Sequence, residues 1–131
     1  MLEVTTRGKY GLILMAVLAK QKGVLSLREI ASSNKLPFYY LVRLAGQLRN
    51  HGLIVSVRGR RGGYRLAREP DQLTIKEILE VLEGPMAPTP CLQGKHCQSK
   101  SFCLPQRFWR DLSGEVNKFL SQYMLQDLID G

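Results

Sequence analysis

Two short helical segments followed at once by a glycine-rich hairpin leave few folds open to this chain. Ser26, with Glu29 three residues later, has the pattern of a capping box, so a helix should begin there. Pro37 opens a second helix, in which apolar residues at helical spacing form a continuous stripe. Residues 53–58 and 64–67 then alternate apolar and polar side chains around a turn, as two antiparallel strands do. This order of elements predicts a winged helix-turn-helix.

Further helices are predicted on both sides of this unit. An amphipathic pattern covers Thr6 to Gln21, and a second capping box, Thr74 with Glu77, begins another helix. A segment that contains prolines and every cysteine precedes the last long helix, which is expected from Gln106 to Tyr123. We therefore expect a mainly α protein with a small β wing, in three parts: a winged helix-turn-helix domain at 1–83, a cysteine-bearing loop at 84–105, and a dimerisation helix with a C-terminal turn at 106–131.

Positive charge is concentrated in the first half of the chain. The 131 residues carry a net charge of +8, but residues 1–70 hold 13 Lys and Arg against 3 Asp and Glu, whereas residues 71–131 hold 6 against 8. Such a basic half indicates a polyanionic partner, and we expect double-stranded DNA. The alternatives are an anionic membrane surface and charge that serves solubility alone.

Membrane insertion and secretion are not expected. The longest apolar run, from Tyr10 to Ala19, falls short of the roughly 20 residues that cross a bilayer. The N-terminus also lacks the basic stretch and the apolar stretch that form a signal peptide. We therefore expect a cytoplasmic protein with no membrane partner.

The second helix of the helix-turn-helix carries side chains suited to reading base edges in the major groove. Arg43 can donate two hydrogen bonds to guanine, Tyr39 can contact a base or a phosphate, and Phe38 can touch a thymine methyl. Arg49 lies farther along the helix and should meet a phosphate. Tyr40 is equally consistent with core packing, and Arg43 with a solvated face. The hairpin turn adds three expected DNA contacts, which are Arg58, Arg60 and Arg61.

All three cysteines lie close together, at Cys91, Cys97 and Cys103. Their spacing is wider than the about two to four residues typical of zinc ligand pairs, and an odd number without an export signal is not a disulfide framework. Thiolates on a loop rich in Pro and Gly can instead hold an iron–sulfur cluster. The fourth ligand is open: Gln106 is the first candidate, and His96 is disfavoured because it adjoins Cys97.

Three other functions stay open beside a cluster-bearing regulator. The first is a DNA-binding regulator without a cluster, which senses oxidants by forming disulfides between these cysteines. The second is a thiol oxidoreductase or zinc enzyme, but the chain has no Cys-x-x-Cys motif and no nucleophile elbow, so we expect no enzymatic activity. The third is an RNA-binding module, which only the run from Arg60 to Gly63 suggests.

The last long helix carries a wide apolar stripe that a small domain has little left to cover. We therefore expect this helix to pack against a second copy of the chain, giving a homodimer. The alternative is that it folds back onto its own domain. The predicted interface residues are Phe108, Leu112, Val116, Phe119 and Tyr123.

Several stretches resemble the Rrf2 family of bacterial winged-helix regulators, and within that family the members that carry an iron–sulfur cluster. The resemblance covers essentially the whole chain. The matching stretches are Thr6–Tyr10, Gln47–Leu53, Ser56–Gly59, Gly62–Tyr64, the cysteine loop and Trp109–Leu112.

The resemblance implies a homodimeric transcription regulator, expected to be a repressor, that senses iron–sulfur status or redox and nitrosative stress. Each subunit would hold a 2Fe–2S cluster on the three cysteines, with a 4Fe–4S cluster as the alternative. Cluster occupancy would change which DNA sites are bound. This chain departs from the family at Gln106, where cluster-bearing members have His. Nitric-oxide-sensing members use a carboxylate near the N-terminus, where this chain has Lys9.

Overall fold

The computed structural model describes residues 4–85 and 104–130. It is mostly helical with one two-stranded antiparallel sheet, which confirms the predicted fold class. The elements, in chain order, are α1 (Thr6–Gln21), α2 (Leu27–Asn34), α3 (Phe38–Asn50), β1 (Ile54–Val57), β2 (Gly63–Leu66), a 3-10 turn (Pro70–Gln72), α4 (Ile75–Glu83), α5 (Gln106–Gln122) and α6 (Leu125–Asp130).

The helix starts follow the predicted capping residues, with two small differences. At α4 the capping box is complete, because Thr74 accepts from the Glu77 N–H and the Glu77 carboxylate accepts from the Thr74 N–H. At α2 only the first half forms, since Ser26 Oγ accepts from the Glu29 N–H at 3.2 Å. Pro37 is the N-cap of α3 and not its first residue, so the helix begins one residue later than expected.

One hydrophobic core joins the first four helices, the hairpin and α6. The hairpin, α6 and all of these helices except α2 contribute fully buried Leu or Ile side chains. The short α2 contributes Leu27 and Ile30, which are buried but slightly more exposed. Helices α1 and α4 cross so closely at Gly11 that a Cβ there would lie 2.2 Å from Leu82 Cδ1. Helices α1 and α4 also both pack on α3, so they support the helix-turn-helix.

The hairpin formed by β1 and β2 (residues 54–66) is called the wing below. A residue from another part of the chain pairs with its second strand. Within the wing, Ile54 pairs with Leu66 at the base and Val57 with Gly63 at the turn. Leu25, between α1 and α2, exchanges two backbone hydrogen bonds with Tyr64, at 3.0 and 2.8 Å. A single bridging residue has no periodicity, so the sequence pattern did not predict it.

The chain after α5 returns to the winged domain. The Ile75 N–H donates to the Tyr123 carbonyl at 2.9 Å, and the Leu125 N–H donates to the Leu73 carbonyl at 2.8 Å. Leu125 is fully buried, and Ile129 packs against the same core. The predicted division into three parts stays a prediction, but α6 contributes side chains to the core of the first part.

Candidate nucleic-acid interface

The buried stripe of α3 determines which of its side chains face solvent. Leu41, Leu44 and Leu48 point into the core, so the opposite side of the helix is free. There Tyr39 is 81% exposed and Val42 is 42% exposed, with Arg43 exposed beside them. The predicted reading residues Tyr39 and Arg43 thus lie on one accessible face. Val42 was not predicted, although its position three residues after Tyr39 was the signal that could have revealed it.

Phe38 lies at the edge of this face and is only half-exposed. It packs against the core, and its ring meets that of Tyr39 edge-on at 5.4 Å. The Arg28 guanidinium, from α2, lies 4.4 Å from the centre of the Phe38 ring, in cation–π contact. Tyr40 packs edge-on against Tyr10 at 5.7 Å, which supports core packing for this residue.

The wing turn presents a group of exposed cations. Arg58, Arg60 and Arg61 are exposed. Within residues 4–85 and 104–130, the ion pairs are Arg68 with Glu77 and Lys76 with Glu80, so none involves these arginines. A Cβ on Gly62 would lie 2.3 Å from the Val57 carbonyl oxygen, so the turn itself requires this glycine. We call α3 together with the wing the reading head.

The cysteine segment lies outside the described residues, and the predicted ligands Cys91, Cys97 and Cys103 with it. Its flanks are described. At the end of α4, the Glu83 carboxylate accepts hydrogen bonds from the Thr5 N–H and hydroxyl at the start of α1. Gln106, the remaining predicted ligand, is the first residue of α5 and is half-buried. In the described part of the chain, no three His, Cys, Asp or Glu side chains form a group that could hold a metal.

Helix α5 keeps an apolar face exposed. It packs on α4, yet none of its described residues is buried. Phe108 and Phe119 are 58% and 61% exposed, Tyr123 is exposed, and Leu112 and Val116 are half-buried. Among the helices of residues 4–85 and 104–130, none is long and apolar enough to cross a membrane.

Residues 4–131 match the protein family described as "Rrf2: Iron-dependent Transcriptional regulator". This chain belongs to the Rrf2 family. Members of this family are DNA-binding transcription regulators and not enzymes, so the predictions of DNA binding and of no enzymatic activity are confirmed at that level. The resemblance inferred from the sequence is confirmed as well.

Curated and solved relatives extend over nearly the whole chain. The chain is 38% identical over 129 residues to the HTH-type transcriptional regulator CymR of Bacillus subtilis (strain 168), covering 97% of this chain and 89% of CymR. The solved structure of CymR, described as the global cysteine regulator of B. subtilis, has a TM-score of 0.85 and covers 99% of this chain and 98% of its own.

Two further structures are similar over the same length. T. potens IscR is 34% identical, with a TM-score of 0.79, covering 98% of this chain and 87% of its own. The oxidized form of Staphylococcus aureus CymR is 35% identical, with a TM-score of 0.77, covering 98% and 97%. The relatives therefore include an IscR and two CymR proteins, of which the one from B. subtilis is described as a cysteine regulator.

Proposed function

We propose that the chain is a homodimeric, cytoplasmic repressor that binds a double-stranded DNA operator with two reading heads and responds to the state of its three cysteines. The observation that carries the proposal is the reading head itself. Exposed Tyr39 and Arg43 lie on the same side of α3, and the three exposed wing arginines have no ion pair among the described residues. This is the combination of base-reading side chains and phosphate-binding cations that winged helices use.

Each part of the reading head has a distinct task on the duplex. Helix α3 has 13 residues and is therefore about 20 Å long, enough to lie along the major groove. Arg43 would donate two hydrogen bonds to a guanine, and Tyr39 would contact a base or a phosphate. Arg49, exposed near the end of α3, would meet a phosphate. The wing arginines would bind phosphates or enter a narrow minor groove.

The tasks of Arg43 and Arg49 can be separated with duplexes selected from random sequence. Arg43→Ala should reduce discrimination at one base-pair position by about 1–3 kcal/mol. Arg49→Ala should weaken binding to all duplexes alike and reduce the salt slope by about 1. Binding constants measured on the selected duplex and on its point variants give both quantities. Equal weakening on every duplex by Arg43→Ala would remove this residue from base reading.

The exposed face of α5 supports the homodimer. Phe119 lies beside Tyr123 at 5.7 Å between ring centres, so the two rings form one apolar patch that is open to a second copy. A two-fold axis across α5 would bury this patch on both subunits at once. Phe119→Glu should therefore give monomers in sedimentation, whereas Lys118→Glu, on a neighbouring polar position, should leave the dimer. A Phe119→Glu protein that stays dimeric would contradict this interface.

The donor set of the cysteine segment fits an iron–sulfur cluster. Cys91, Cys97 and Cys103 supply three thiolates, which such clusters prefer, and Gln106 stands three residues later at the start of α5 with a carboxamide. When bound, the cluster would supply a redox-active centre that is sensitive to oxidants. A carboxamide is a weaker ligand than the imidazole of relatives, so the three cysteines would hold the cluster and Gln106 would contribute little.

A regulator without a cluster is the second candidate, because this chain is also similar to B. subtilis CymR, described as a cysteine regulator, and to S. aureus CymR, which is known in an oxidized form. Anaerobic purification with iron and sulfide counting separates the two. Visible absorbance with iron and sulfide in the wild type, lost in Cys97→Ala, supports the cluster. Colourless, iron-free protein whose DNA binding changes reversibly with oxidant supports the thiol regulator. Gln106→Ala tests the fourth ligand. Loss of the cluster in this variant would show that Gln106 is needed to hold it, contrary to the proposal.

A further inference from the structure

A half-open cavity lies between the end of α1, the residues after β2 and α6. Its volume is about 690 Å³, within the about 300–1,000 Å³ typical of small-molecule sites. Its lining includes the apolar residues Leu18, Leu66 and Ala67 together with several polar and charged side chains. Leu66 lies at the base of the wing, but none of these residues is among the individual side chains proposed to contact DNA, a second subunit or a cluster. Six of its twelve lining residues are polar or charged and five are apolar, so the cavity suits a ligand that has both a charged and an apolar part.

The charged residues around this cavity are mainly cationic. Lys22, Arg65 and Arg68 line it, together with the carboxylate of Glu69. Arg68 is paired with Glu77 at 3.3 Å, whereas Lys22 and Arg65 have no ion pair within the described ranges. Like charges around a shared space repel one another, so an anion placed between them would be stabilised.

Lys22, one of these cations, has an unusual backbone conformation at the end of α1. Its φ is +49° and its ψ is 142°, a conformation that residues other than glycine rarely adopt. Lys35, which also has a positive φ, ends α2 in the left-handed conformation with its N–H bonded to the Ala31 carbonyl. Lys22 also ends a helix, α1, but in a different conformation, and Gly23 follows it with a φ of +91°. Strained residues of this kind cluster at ligand sites.

We propose that this cavity binds a small organic anion, a carboxylate or phosphate ester with an apolar body. The rim cations would take the acid group, and the wall at Leu18 and Leu66 would take the body. We assign the cavity to a small anion and not to DNA because Leu66 lies at the base of the wing, three residues along β2 from Gly63, or about 10 Å from the turn. The proposal goes beyond DNA binding and requires neither DNA nor a cluster.

Titration calorimetry on the full chain tests this with three probes that share one apolar body. Phenylbutyrate should bind with about tenfold or greater preference over phenylbutanol and phenylbutylamine, because only the first carries a negative charge. Inorganic phosphate should bind more weakly than phenylbutyrate, since it lacks the apolar body. Equal binding of the alcohol, or no binding of phenylbutyrate at millimolar concentration, would overturn the proposal.

Variants then locate the site. Lys22→Gln combined with Arg65→Gln should weaken phenylbutyrate binding about tenfold or more. Arg60→Gln combined with Arg61→Gln removes the same charge from the wing turn and should leave binding unchanged. Ala67→Leu keeps every charge and fills part of the cavity, so it should also weaken binding. Loss of binding in the wing variant, or full binding in both cavity variants, would place the anion elsewhere and refute the site.

Discussion

The wing arginines Arg60 and Arg61 make DNA binding quantitatively testable. Both are exposed, and neither is paired with an acidic group in the part of the chain that the structure describes. Replacing both with glutamine keeps polar side chains and removes two charges from each reading head. We expect the double variant to bind DNA more weakly at low salt and to depend less on salt, because it releases fewer counterions.

The size of this effect follows from the number of charges removed. Each neutralised phosphate contributes about 0.9 to the slope of log K against log salt, so two arginines contribute about 1.8 for each bound reading head. Between about 50 and 200 mM salt, the wild type should therefore lose about 12-fold more affinity than the variant. Two heads bound to one duplex would double the difference in slope.

Fluorescence anisotropy with a labelled duplex measures this slope directly. A duplex of arbitrary sequence is sufficient, because the electrostatic contribution to binding does not depend on base sequence. The control is Lys20→Gln combined with Lys118→Gln, which lowers the net charge by the same amount at exposed positions on α1 and α5. Equal slopes for the wild type and the wing variant would refute the reasoning. An equal reduction in the control would show that net charge, and not the wing, determines binding.

Two further predictions concern stability. Leu125→Ala should lower the free energy of unfolding by about 2–5 kcal/mol, because it leaves a cavity at a fully buried site. Leu128→Ala, at a position that is 40% exposed, should lower it by less than about 1 kcal/mol. Similar urea midpoints for the two variants would contradict the docking of α6. Gly63→Ala should cost more than about 1 kcal/mol, because a Cβ there would lie 2.1 Å from the Leu25 carbonyl oxygen. At Gly114, an added Cβ would meet no atom of the other described residues within 4 Å beyond its own stretch of helix. Gly114→Ala should therefore stabilise α5, and urea unfolding would measure both changes.

The helices and the hairpin could be predicted because their signals are local. The α1 bounds Thr6–Gln21 follow from the apolar periodicity and from the stop signal that Lys22 and Gly23 provide, and the capping box at Thr74 fixes the start of α4. The exposure of Tyr39 and Arg43 follows from the same period, since the buried leucines of α3 occupy the other side. These parts needed no knowledge of distant contacts.

Contacts between distant parts of the chain could not be predicted in this way. Leu25 joins the wing through one residue, and one residue carries no alternation. The cation–π contact of Arg28 with Phe38 depends on the angle between α2 and α3, which neither helix's pattern specifies. Tyr40 had an apolar ring and a polar hydroxyl, so its side chain suited core and surface equally until its packing against Tyr10 was known.

Helix α4 lies between the flanks of the cysteine segment and the reading head. Its last residue, Glu83, accepts hydrogen bonds from Thr5 at the start of α1. Its first residue, Ile75, and the preceding Leu73 form backbone hydrogen bonds with Tyr123 and Leu125, which follow α5. Helix α4 also packs on α3 and α5. The cysteine segment connects the end of α4 to the start of α5. One of its flanks therefore belongs to the helix that packs on α3, and the other belongs to a helix that packs on α4. A change at the cysteines that moved either flank would therefore act on the reading head through packed helices, with no further element required.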